Sequence, residues 1–88
     1  MSESALFKVL RSGRYLPADI NITSDIVIGT LLEVSSNLTE DRRHRLYRFF
    51  TGNKWNLIKE ILDSEMYKDT TRAREYVERK FQEAATLK

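Results

Sequence analysis

Residues 71–86 read TRAREYVERKFQEAAT. Ala73, Tyr76, Val77, Phe81 and Ala84 recur at the three- and four-residue steps that collect side chains on one stripe of a helix. Glu75 and Arg79 stand four apart, acid first, which is the favourable order for a helical pair. The stretch predicts an amphipathic helix from about Thr71 to Thr86. Such a helix must bury its stripe against other elements, and those have to come from the preceding residues.

Residues 54–67, KWNLIKEILDSEMY, predict a second helix with Trp55, Ile58, Ile61 and Leu62 turned inward and Asn53 as its cap. Asp69-Thr70-Thr71 separates the two. Further back, Thr39 is a good cap for a helix that opens with Glu40 and Asp41 and continues into arginines, a charge order that complements the macrodipole. Leu46, Phe49 and Phe50 give it an apolar edge, and Thr51-Gly52-Asn53 predicts its end. Before that, Thr23 or Ser24 caps a helix in which Val27, Leu31 and Val34 follow helical spacing and Ile28 and Leu32 widen the stripe. Ile26-Val27-Ile28 and Gly29 weigh against that helix, and Ser35-Ser36-Asn37 closes it.

Asp19-Ile20-Asn21-Ile22-Thr23 alternates polar and apolar residues, as a strand does. No partner strand follows, so the expectation is a short extended segment at 19–23. It lies in a connection running from Arg14 through Pro17 to Thr23, with its isoleucines tucked into the core. Ser4 caps a short helix to about Ser12, with Leu6, Phe7, Val9 and Leu10 on its apolar face; Gly13 stops it, and residues 1–3 are loose. The fold class expected is therefore all-α, a compact bundle of about five short helices forming a single domain over residues 1–88. Phe50, Ile58, Leu62, Val77 and Phe81 are its expected core.

Composition agrees with that class. Hydrophobic residues are 41% and charged residues 32% of 88, a globular balance. A domain of this size buries only about 60% of the surface its unfolded chain exposes, so a partner or a second copy would help it. Cysteine is absent, which removes disulfides and thiolate chemistry. The apolar runs are too short to span a membrane, and no secretion signal opens the chain. An intracellular, cytoplasmic protein is expected, with the sequons at Asn21 and Asn37 unmodified.

The residue types point away from catalysis. The one histidine, His44, is flanked by Arg43 and Arg45, with no nucleophile beside it. A metal site needs several His, Cys or carboxylate ligands. Glu40-Asp41 reads as helix-start electrostatics, and Asp63 and Glu65 as a solvated face. None of Gly13, Gly29 and Gly52 sits in a phosphate-cradling loop with lysine. No cofactor, no metal and no enzyme activity are expected.

Charge supplies the functional lead. The net charge is only +2, but residues 1–37 hold three basic and four acidic side chains while residues 42–54 hold five basic ones and no acid. Arg42, Arg43, Arg45, Arg48 and Lys54 are joined by Asn56 and Lys59 as candidate macromolecule-binding residues. Arginine forks suit phosphate oxygens, and Tyr47 or Trp55 offers a stacking face. A helix-turn-helix laid on residues 44–63 puts Gly52 at the turn and sends Lys54, Asn56 and Lys59 toward a major groove. Arg48, however, stands where that motif needs a small residue. Tyr67, Tyr76 and Phe81 offer an aromatic seam to a second copy or another protein. The expected function is that of a small binding protein (regulator, inhibitor or adaptor) acting through protein contacts. Nucleic-acid binding through 42–54 and the helix after it is the alternative, a homodimer is compatible with either, and no membrane is involved.

Overall fold

The computed structural model describes residues 17–86. The expected helix at 4–12, its stop at Gly13 and the loose residues 1–3 lie outside them. Within them the chain forms α1 (Pro17–Ser35), α2 (Glu40–Asp63), one 3-10 turn (Met66–Lys68) and α3 (Thr70–Thr86). The all-α class holds, with no strand among the described residues. Two expectations about where helices break do not, and three helices stand where four were expected after residue 23.

The first correction concerns residues 19–23, which are helical rather than extended. Pro17 occupies the first helical position, where its missing N–H costs nothing, and Asp19 lies in the positively polarised first turn. Asp19–Thr23 fits two periods at once. Ile20, Thr23 and Val27 follow the helical one, and all three pack inward, while Ile22 is exposed. Thr23 is completely buried, and its Oγ1 donates to the Asp19 carbonyl at 2.7 Å. Thr30 does the same to the Ile26 carbonyl at 2.7 Å, so both buried hydroxyls find partners inside their own helix.

α1 ends where Ser35-Ser36-Asn37 predicts. Ser36 Oγ donates to the Glu33 carbonyl at 2.8 Å, and the Asn37 N–H to the Val34 carbonyl at 3.2 Å. Thr39 takes the expected N-cap position of α2 in extended backbone, but its hydroxyl makes no cap hydrogen bond. Glu40 and Asp41 open the helix.

The second correction is that α2 runs without interruption through Thr51-Gly52-Asn53. Thr51 Oγ1 donates back to the Tyr47 carbonyl at 2.8 Å, and Asn53 Nδ2 to the Phe49 carbonyl at 2.9 Å, so neither side chain competes for a turn. The decisive term is the row Leu46, Phe50, Leu57 and Ile61, which continues across the supposed break at helical spacing and faces the core. One interior glycine costs about 1 kcal/mol against alanine, less than this packing supplies. A Cβ built on Gly52 would meet nothing within 4 Å. Gly52→Ala is therefore expected to stabilise the domain by about 0.5–1 kcal/mol in urea unfolding. A loss of stability would show that the chain needs a break there.

α2 leaves through Glu65, whose φ of 59° lies in the left-handed region that glycine usually fills at a helix end. Lys68 Nζ holds the Glu65 carboxylate at 2.6 Å, and this hydrogen bond and charge lower the Glu65 pKa from its ordinary value. Asp69 then caps α3, its Oδ1 accepting the Arg72 N–H at 3.3 Å.

Each of the three helices packs against the other two. Ile58, Leu62, Val77 and Phe81 are buried as expected, and Phe50 is half-buried against them. Phe81, wholly shielded from solvent, makes edge-to-face contacts with Phe49 and Phe50 at centroid distances of 6.3 and 6.1 Å. Glu33 on α1 pairs with Arg74 on α3 at the surface. Trp55 corrects a further expectation: it is 48% exposed rather than inward. It lies two residues before Leu57, and so about 200° round the helix from a side chain that faces the core. Ile28 and Leu32 likewise stand outside the buried stripe, 48% and 62% exposed.

Candidate interaction surface

The seven residues proposed from the sequence all lie on α2, but they do not form one site. Arg42, Arg45 and Arg48 are exposed at three-residue steps, so each is displaced by about 60° from the last and the row winds round the helix. Arg45 and Asn56, eleven apart, share one line, and Arg48 and Lys59 share the next. Lys59 is held by Asp63 at 2.8 Å. Lys54 stands about 120° round the helix from Arg48 and lines the cleft toward α1.

Arg43 has a structural task instead. Its Nε donates to the Ser35 carbonyl at 3.1 Å and its Nη2 to the Leu38 carbonyl at 3.2 Å. One guanidinium thus satisfies the carbonyl end of α1 and the connection that follows it, and the fork is not open to phosphate. The helix-turn-helix placement also fails, because α2 is unbroken and no second helix starts at Lys54. The aromatic seam loses Phe81 to the core, while Tyr67 and Tyr76 remain half-buried. Burial pushes the Tyr76 phenol above its ordinary pKa, and Glu60 adds to the shift while Arg79 opposes it.

What the helices build in place of a basic stripe is an apolar groove. Ser24, Val27, Ile28 and Leu31 of α1 form one wall, and Phe50, Lys54, Trp55 and Ile58 of α2 the other. The groove has a volume of about 310 Å³. Val27 and Ile58 are buried at its floor, while the half-exposed Ile28 and Trp55 form its rims. Among the described residues Lys54 is its only charged lining residue, with Nζ 5.4 Å from the Trp55 ring centroid, a cation–π distance. Leu32, one turn beyond Ile28, carries the apolar surface further along α1.

A second depression, of about 250 Å³, lies between Met66, Arg72, Glu75, Tyr76 and Arg79 and is more polar. Among the described residues, no group of three or more His, Cys, Asp or Glu side chains is placed to hold a metal ion, and no helix is long and apolar enough to cross a membrane. No protein-family model, curated protein or solved structure matches the chain. Trp55 and Ile28 are the residues that sequence reasoning misplaced. Their signal was an excess of large apolar side chains beside the stripe each helix needs.

Proposed function

We propose that the chain is a small, non-enzymatic binding protein that acts as a regulator, inhibitor or adaptor by contacting another protein. The observation that carries this reading is the groove between α1 and α2. A chain with so little core leaves Ile28, Leu32 and Trp55 in water on adjoining surfaces, and contiguous exposed apolar area of this kind marks interaction sites. Tryptophan at a rim, with a cation beside it, is the composition of an interface anchor. The basic residues play a supporting part, because charge near an apolar contact raises association rates and selects partners by sign. Their winding arrangement is poorly suited to following a phosphate backbone, and Arg43 is withdrawn from it.

Two measurements separate this reading from nucleic-acid binding. Titration with duplex and single-stranded DNA at physiological ionic strength should give no saturable binding. The Arg42→Ala/Arg45→Ala variant should change stability by no more than about 0.5 kcal/mol, as surface substitutions do. Salt-steep binding that loses about two units of salt slope in this variant would replace protein binding with nucleic-acid binding as the function. In capture experiments on nuclease-treated lysate of the native host, a partner should be retained by the parent and lost by Trp55→Ser.

A further inference from the structure

We propose that the groove between α1 and α2 receives an acidic amphipathic helix of another protein, with apolar anchors seated between Ile28 and Trp55 and carboxylates meeting Lys54 and Arg48. The inference rests on the protein-binding reading above and specifies its partner.

Shape argues for a helix. The α1 wall from Ser24 to Leu31 spans seven residue steps, about 10 Å of helix axis. An incoming helix presents anchors at i, i+3 or i+4, and i+7 over that same length, which is the usual spacing of groove-bound helices. The groove also lies between two packed helices, where the ridges of a further helix fit.

Charge argues for acidity. Among the described residues, Lys54 lines the groove and no carboxylate does. The cation–π contact with Trp55 holds its ammonium at the rim. Arg48 lies seven residues before Trp55 and Tyr47 seven before Lys54, so each extends the same side of α2 by two turns. Both Arg48 and Tyr47 are exposed. Lys59, one turn beyond Trp55, is occupied by Asp63 and adds less. A second copy fits worse, since a two-fold contact places the same patch on both sides and brings the Lys54 and Arg48 of each copy into one interface.

The test uses the full chain and two synthetic probes. The first is a fluorophore-labelled helical peptide with leucines at i, i+3 or i+4, and i+7, flanked by glutamates. The second has lysine at every glutamate. Anisotropy titration should show saturable binding of the glutamate peptide and at least about tenfold weaker binding of the lysine peptide, because like charges across an interface repel. The Arg48→Glu/Lys54→Glu variant should invert that preference, and Ile28→Asp should abolish binding of both. Ile28→Asp should melt close to the parent, since the side chain it replaces is half exposed.

Equal binding of both peptides, or of neither, would overturn the proposal. A large fall in the melting temperature of Ile28→Asp would also do so, by showing that the chain itself already fills the groove. So would a dimer in sedimentation that dissociates in Ile28→Asp, or binding to anionic phosphatidylserine vesicles in preference to either peptide. Capture of a nuclease-resistant partner that survives Ile28→Asp would reject the groove and leave protein binding standing. Saturable binding to DNA would reject protein binding itself.

Discussion

Phe81→Ala is expected to cost about 3–5 kcal/mol, which leaves little or no folded domain. The phenylalanine is wholly buried on α3 and makes edge-to-face contacts with Phe49 and Phe50 on α2. Truncation removes its transfer free energy, both edge-to-face contacts and the wedge that keeps α2 and α3 at their spacing. That loss is comparable to the whole stability expected of a small domain, about 0.05–0.15 kcal/mol per residue. Urea or thermal unfolding followed by circular dichroism checks the result. Phe81→Leu, which keeps most of the volume, should retain a cooperative transition. A Phe81→Ala protein that unfolds like the parent would mean that α3 is not docked as described.

Arg43→Ala is expected to cost about 1.5–3 kcal/mol, the range for hydrogen bonds made by a charged group. Removing the guanidinium takes a charged donor from the Leu38 carbonyl and leaves the Ser35 carbonyl with only the Leu38 N–H at 3.2 Å, at the point where the chain reverses from α1 into α2. Lysine keeps the charge but lacks the planar fork, so Arg43→Lys should recover only part of the loss. The neighbouring Arg42→Ala serves as the control, because Arg42 is exposed. Denaturant midpoints of the three variants decide the matter. If Arg43→Ala and Arg42→Ala are equally mild, Arg43 belongs with the surface basic residues after all.

That contrast shows where sequence reasoning reaches and where it stops. The helical class and the approximate limits of α3 are legible, because apolar spacing over 71–86 admits one period only and Asp69-Thr70-Thr71 marks the break before it; that Asp69 caps the helix emerges from the structure. Asp19–Thr23 admits two periods, and the choice between them falls to Val27, four residues further on, and to what it packs against. Gly52 is only a local signal. The helix around it is held by Leu46, Phe50, Leu57 and Ile61, whose joint burial depends on α1 and α3. Arg43 is one of four arginines between 42 and 48 in the sequence. Only the position of the α1 terminus distinguishes it from the others. The groove is legible to the same limited degree, since Ile28 and Trp55 are visible as surplus apolar residues but their juxtaposition follows from how two helices are rotated against each other.

Phe50 belongs to two structures at once. One side of its ring meets Phe81 in the core, and the same residue lines the groove. The inner wall of the groove is therefore the outer wall of the hydrophobic centre, and the two cannot loosen independently. Any occupant that prefers the native wall adds its binding free energy to folding, about 2.7 kcal/mol when its concentration is a hundred times its dissociation constant. In a domain this small that increment rivals the stability of the chain alone. Were the proposed partner bound there, the folded fraction would rise with the partner's concentration by mass action.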